Sequence, residues 1–360
     1  EPAPAPLTLD AIDLTLTQGA IGEPLKVTGS AQGPGGIKLT IAEGTMSVAP
    51  GRPPTEGQVK ATVDVEGRDV REAVASLVPA PAVSGPIKGR LQISGTAARL
   101  TATGAVAFER LTVSQSQPRC PDPKPRSLVL DDVRMPLSYA PPQLDSQAVQ
   151  GKVAKGTVAF HLVMALAPSR TVTLRDIQVK GVQLEPILVD YLCQRDAVSG
   201  PLDLTGELAL RLPEGLPTLD GSGRLAIGAG RVVGPDLLNA VSRALALTDV
   251  VSGITGQGPR ARPGAGSPLN FDSITATYRI VNGVLRTDDL VYTARDVRVT
   301  GAGTYGVADG RIAMDVTVIQ GTNRVKARLA GGPGSLSIVP TDLRLKEPKD
   351  LRKTLDRLLR

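Results

Sequence analysis

Two stretches decide the fold: GSGRLAIGAGRVVGPDLLNAVSRALAL (221–247) and FDSITATYRIVNGVLRTDDLVYTARDVRVTGAGTYGVADGRIAMDVT (271–317). A short strand meets a helix-like run, a long Gly/Pro/Arg loop follows, and alternating strands close the unit. Asn282-Gly283 and Asp309-Gly310 are hairpin turns, because Asn-Gly and Asp-Gly accept the positive φ of a two-residue loop. They pair Ile274–Val281 with Val284–Asp288 and Arg295–Val307 with Arg311–Ile319. Pro235 suits the first turn of a helix, and Leu238, Val241 and Leu245 fall on one face of it.

Outward from there, period two dominates. Ile12, Leu14 and Leu16 alternate with Asp13, Thr15 and Thr17, and Val59, Ala61, Val63 and Val65 alternate with Lys60, Thr62, Asp64 and Glu66. Such strands have one apolar and one polar face. Further strands are expected at 25–28, 37–41, 100–108, 111–114, 127–133, 156–164 and 172–180, with a proline-rich loop over 116–126. Between Asp69 and Val78 the period shifts to helical, with Val70, Val74, Leu77 and Val78 on one side.

VEGRDVREAVASLVPAPAVSGPIKGRLQISG (65–95) is repeated as VKGVQLEPILVDYLCQRDAVSGPLDLTGELAL (179–210), and a weaker copy runs from Val233 to Gly253. One strand, helix, strand unit recurs, with repeat units near 59–114, 172–212 and 221–319. A strand with one apolar face cannot bury it alone, and each further copy extends one continuous surface. The fold class is mainly β: an elongated, curved antiparallel sheet of repeated units with a few short helices, over residues 1–346. Residues 347–360 form a C-terminal amphipathic helix, whose Leu351, Leu355, Leu358 and Leu359 either cap the open end of the sheet or lie on an anionic membrane surface.

Composition supports a thin body. The chain has no Trp, three Phe and five Tyr among 360 residues, so its apolar area comes from small aliphatic side chains. The net charge of +6 is spread singly along strands, without the aromatic platforms of a nucleic-acid binder. Cys120 and Cys193 are either one disulfide in an oxidising compartment or two separate thiols. No apolar run is long enough to span a bilayer, and the EPAPAP opening reads as a linker, with any membrane anchor upstream of Glu1.

Signals for chemistry are weak. The single histidine, His161, alternates out of phase with Val158, Phe160 and Leu162, on the polar face of its strand. Gly301-Ala302-Gly303-Thr304-Tyr305-Gly306 spells a dinucleotide fingerprint, but a hairpin follows it where a helix is required. Asp131-Asp132 and Asp288-Asp289 are adjacent, which on a strand sends the two carboxylates to opposite faces. No catalytic residue, cofactor or metal ligand set is expected, and the chain reads as a non-enzyme.

GVQLEPILVDYL with VSGPLDLTGELAL, LDGSGRLAIGAGRVVGPDLLNAV, FDSITATYRIVNGVLRTDDLVY and VRVTGAGTYGVADGRIAMDVTV together resemble the C-terminal region of the AsmA-like family of envelope proteins of diderm bacteria. The resemblance covers 179–319 well and the earlier strands more loosely. It implies a taco-like β-groove in the periplasm, anchored upstream in the inner membrane, serving outer-membrane biogenesis and phospholipid transport between membranes. The expected partners are lipid acyl chains, a membrane through that anchor, and other envelope proteins, but no nucleic acid. Candidate groove residues are Val59, Val63, Leu91, Phe160, Leu204, Leu225 and Ile312. Shielding a sixteen-carbon chain from water, at about 0.8 kcal/mol per methylene, is worth on the order of 12 kcal/mol. The alternative is an envelope scaffold whose apolar face its own helices fill.

Overall fold

The computed structural model describes residues 9–20, 23–49, 51–53, 56–77, 81–96, 99–116, 120, 122, 124–166, 169–194, 197–212, 214–233, 270–295, 297–321, 323–332 and 335–344. The helix expected at Pro235–Leu247, the loop at Gly253–Pro268 and the C-terminal helix with Leu351, Leu355, Leu358 and Leu359 lie outside the described residues. The protein is mainly β, and its neighbouring strands run antiparallel. It divides into two compact units, residues 1–179 with 207–215, and 180–206 with 216–360.

The first unit is a meander. β1 (Asp10–Thr17), β2 (Leu25–Gly33), β3 (Ile37–Ser47) and β4 (Gln58–Gly67) pair in sequence. After β4 the chain leaves the sheet as helix α1 (Arg71–Leu77) and the short strand β5 (Ala82–Ser84). It returns as β6 (Ile87–Thr96) beside β4, and continues through β7 (Arg99–Gln115), β8 (Arg126–Ala140), β9 (Gln143–Val153) and β10 (Gly156–Ala165). β5 pairs with the far end of β7, Val83 opposite Val113.

Helix α1 starts where Asp69 Oδ1 accepts the N–H of Arg71 (3.0 Å), a donor that a helix start leaves free, and the same oxygen accepts the N–H of Gly85 (3.1 Å) as the chain returns to the sheet. Val70 is 2% exposed and, with Ala73 and Val74, packs on Ile37, Val65, Ile87, Leu91, Phe108 and Leu111. This cluster is the first unit's core, at one end of the sheet.

β11 (Arg170–Gln183) and β13 (Pro201–Leu212) each contribute residues to both units. Between them the second unit repeats the α1 excursion in altered form. A π-helical turn, Pro186–Tyr191, replaces an α-helix, and Leu192 donates to Ile187 O at 2.9 Å across five residues. β12 (Ala197–Val198) then stands where β5 stands in the first unit. The correspondence reaches individual hydrogen bonds: Val70 N–H to Gly85 O and Leu184 N–H to Gly200 O are each 3.0 Å. Gly85 and Gly200 are the glycines of the two Val-Ser-Gly-Pro sequences.

The second unit continues as β14 (Asp220–Ile227), β15 (Gly230–Val233), β16 (Asn270–Phe271), β17 (Ser273–Val281), β18 (Val284–Ala294), β19 (Val297–Gly306), β20 (Ile312–Gln320), β21 (Asn323–Gly331) and β22 (Ser337–Arg344). β14 and β17 to β22 form a meander, while β12, β15 and β16 form a small separate layer. Its core joins Leu184, Ile227, Val232, Phe271 and Ala294, with Tyr292 set 5.6 Å from the Phe271 ring. Both expected hairpins form, with turns at Asn282-Gly283 and near Asp309-Gly310.

Several boundaries differ from those read in the sequence. The strands at 100–108 and 111–114 are one strand, β7, whose ladder with β8 keeps its register from Phe108–Val133 to Arg110–Asp131. β8 runs past Val133 to Ala140 despite Pro136, and the β8–β9 ladder shifts register between Arg134 and Ser138 around that proline. β9 has no counterpart in the sequence reading, because QLDSQAVQGKV carries too few apolar residues to show a period.

Candidate functional site

Residue parity divides each unit's sheet into an apolar inner face and a charged outer face. Register then aligns inner residues of successive strands into rows crossing the first unit. One row carries Ala61, Ile93, Ala102, Tyr139, Leu144 and Met164, each opposite the next. It reaches β3 at Gly44, opposite Ala61, and continues through Val27, against which a Cβ on Gly44 would press, to Leu16 of β1. Nine strands at about 4.8 Å spacing make the row roughly 38 Å long. A bilayer's hydrocarbon core, two acyl chains deep, is about 30 Å. No residue of this row belongs to the buried cluster beneath α1. Ala61, Ile93, Ala102, Tyr139, Leu144 and Met164 are all half-buried. The row bears no charged side chain.

The candidate groove residues fall at different places on these faces. Val59 lies in the neighbouring row with Met46 and Gly95, at the end away from α1. Val63 and Leu91 are direct partners, but Val63 is 5% exposed and Leu91 packs against the α1 cluster. These two therefore mark the border between core and open face. Phe160 is half-buried opposite Val149. Leu225 sits at the margin of the second unit's core, opposite Ala276, and it shares a depression with Leu204. Ile312 lies in a row with Gly221, Ile280, Leu285, Tyr305 and Gly331, at the end of the second unit away from its π-helical turn. The structure groups Val59, Val63 and Leu91, pairs Leu204 with Leu225, and leaves Phe160 and Ile312 apart. The sequence-derived candidates omit Met46, Ala61, Ile93, Tyr139, Leu144 and Met164 of the same inner face, although parity along their strands is the signal that finds most of them.

Glycines set the shape of the inner face. Gly206 has φ +150°, and a Cβ there would meet Ser222 O, Gly223 Cα and the Tyr278 hydroxyl. The Tyr278 ring lies over this Gly206–Gly223 notch, and burial pushes its phenol pKa up. Gly104 in the first unit has φ +153°, and a Cβ there would press equally hard against Arg90 O. Only glycine allows neighbouring strands to coil this tightly without a side chain between them.

The charges sit on the other face. Asp64 is bonded by Arg90 at 2.6 Å and Asp132 by Lys152 at 2.7 Å, and Asp315 holds Arg328 at 2.8 Å. The hydrogen bonds from these cations hold each carboxyl below its ordinary pKa. Asp131 pairs with Arg110 and also faces Lys152 directly across the ladder, so the adjacent aspartates at 131 and 132 both act on Lys152 and do not point to opposite faces as strand alternation predicts; the positive φ of Asp132 (53°) breaks that alternation. Asp289 accepts the Thr277 N–H at 2.7 Å, which lowers its pKa, whereas Asp288 meets Arg286. His161 Nε2 lies 3.1 Å from both Asp145 oxygens, half-buried on the outer side. Gly301–Gly306 is extended β19, with no helix after it.

Among the described residues no group of three or more His, Cys, Asp or Glu is placed to hold a metal, and no helix is long and apolar enough to cross a membrane. Both cysteines are disulfide-bonded. No family model, curated protein or solved structure matches the chain. The architecture of repeated antiparallel strands with an apolar face agrees with a bridge-like β-groove, without assigning a family.

Proposed function

We propose that the chain is a non-enzymatic carrier that shields lipid acyl chains along the apolar inner face of its sheet, in the periplasm, as an AsmA-like module of lipid transport between membranes. The observation that carries this reading is the uncharged row from Leu16 to Met164. It is longer than one acyl chain, apolar from strand to strand, and separate from the core beneath α1. Aliphatic side chains with few rings give a smooth floor, so a chain can shift from one strand to the next without a large barrier. The scaffold alternative draws on α1, which already fills one end of the inner face; it requires the chain's own helices to fill the remaining rows as well.

Extraction of the purified protein followed by lipid mass spectrometry separates the two. The transport reading expects co-purified phospholipid or fatty acid, and its loss in an Ala61→Glu/Ile93→Glu variant that keeps the wild-type circular dichroism. Recovery of no lipid from the folded protein, after exposure to phospholipid vesicles, contradicts it.

A further inference from the structure

The geometry points to a second use of β1: its free edge joins a second copy of this chain, strand to strand, about a two-fold axis through Thr15. Among the described residues β1 pairs only with β2, and Ile12, Leu14 and Leu16 are 57%, 50% and 54% exposed. Among the described residues the apolar inner row thus ends at this edge. An edge strand offering unpaired N–H and C=O groups beside exposed leucines is a template for a further strand.

The two edges of the described sheets differ. β22 carries Pro340, which has no N–H to donate, and its ladder with β21 shifts register between Lys326 and Ala327. β1 has its own irregularity, at Ala11 (φ 48°), where the register with β2 slips between Asp10 and Asp13. That leaves Asp13–Thr17 as a regular run with no second partner strand among the described residues.

Asp-Leu-Thr-Leu-Thr is complementary to itself when antiparallel. With Thr15 opposite Thr15 of the second copy, Leu14 faces Leu16 and Asp13 faces Thr17. Within Asp13–Thr17 every apolar residue then meets an apolar one, and no like charges oppose; Ile12, beyond the register slip, falls opposite Gln18. Centring the pair on Asp13 would set two carboxylates against each other, which destabilises the pairing. Parity keeps Leu14 and Leu16 of both copies on one side, so the two apolar inner faces become continuous. The inference does not depend on what that face binds.

Sedimentation equilibrium of the full chain over a concentration series tests it, with two sets of variants. Wild type is expected to dimerise, and Leu14→Lys/Leu16→Lys to raise the dissociation constant roughly a hundredfold or more, because each dimer then has four lysines where four leucines packed. Val339→Lys, at the other edge and 57% exposed, is expected to leave it unchanged. Thr15→Cys supplies an independent readout. Directly opposed antiparallel residues have Cα atoms about 4.5–5.5 Å apart, within disulfide range, so mild oxidation gives a covalent dimer, whereas Val339→Cys gives none. A wild type that stays monomeric throughout overturns the inference. So does a dimer that survives the leucine substitutions, or a Thr15→Cys variant that does not cross-link while the wild type dimerises.

Discussion

Replacing Gly206 with alanine probes the close strand approach that shapes the inner face, and its cost can be worked from the structure. At φ +150° an L residue is strained, at about 1–3 kcal/mol. The new methyl group would also be driven against Ser222 O, Gly223 Cα and the Tyr278 hydroxyl, and such overpacking adds about 1–3 kcal/mol. The expected destabilisation is therefore about 2–6 kcal/mol. Gly181→Ala is the matched control. Its φ is +64° and nothing lies within 4 Å of the added Cβ, so only a conformational cost of about 1–2 kcal/mol applies. Its N–H bond to Asp203 survives the change. Urea unfolding of both variants, followed by circular dichroism, gives the difference from midpoints at constant slope. If Gly206→Ala costs no more than Gly181→Ala, steric closeness is not what reserves position 206 for glycine.

Three further outcomes follow from other parts of the molecule. Val70→Ala removes two methyl groups from the α1 cluster and should cost about 2–3 kcal/mol by denaturant titration, counting transfer plus residual cavity. Asp64, Asp132, Asp289 and Asp315 have lowered folded-state pKa values, so the folded chain binds fewer protons than the unfolded one in acid. The stability they contribute is complete above the unfolded value of about 3.9 and is lost as pH falls through the lowered folded values. Unfolding midpoints should thus be flat from neutral pH to about 5 and drop below about 4, with Asp289→Asn removing part of the drop. Finally, maleimide labelling in denaturant should find no reactive thiol before reduction and two after it.

Much of the fold was legible wherever one face of a strand is fully apolar. Val59, Ala61, Val63 and Val65 announce β4 because every second residue faces the interior. β9 is silent because its inner positions include Ser146 and Gly151, which fit against neighbours without being hydrophobic. Pro136 hid the end of β8, since a proline in a strand is tolerated only where the ladder is broken, and sequence does not show ladders. The groove was legible as a face but not as a boundary. Leu91 and Ile93 have the same parity and similar chemistry, yet only Leu91 lies against the α1 cluster, and that depends on where a seven-residue helix lands.

Site-specific photocrosslinking tests the central claim most directly. A photoreactive amino acid placed at Ile93 or at Ala61 on the inner face, and at Thr62 or Gln92 on the outer face, is irradiated with phospholipid present. Lipid adducts at 61 and 93, with none at 62 and 92, are the predicted result; adducts absent from the inner positions, or equal on both faces, contradict an acyl-chain path along the inner face.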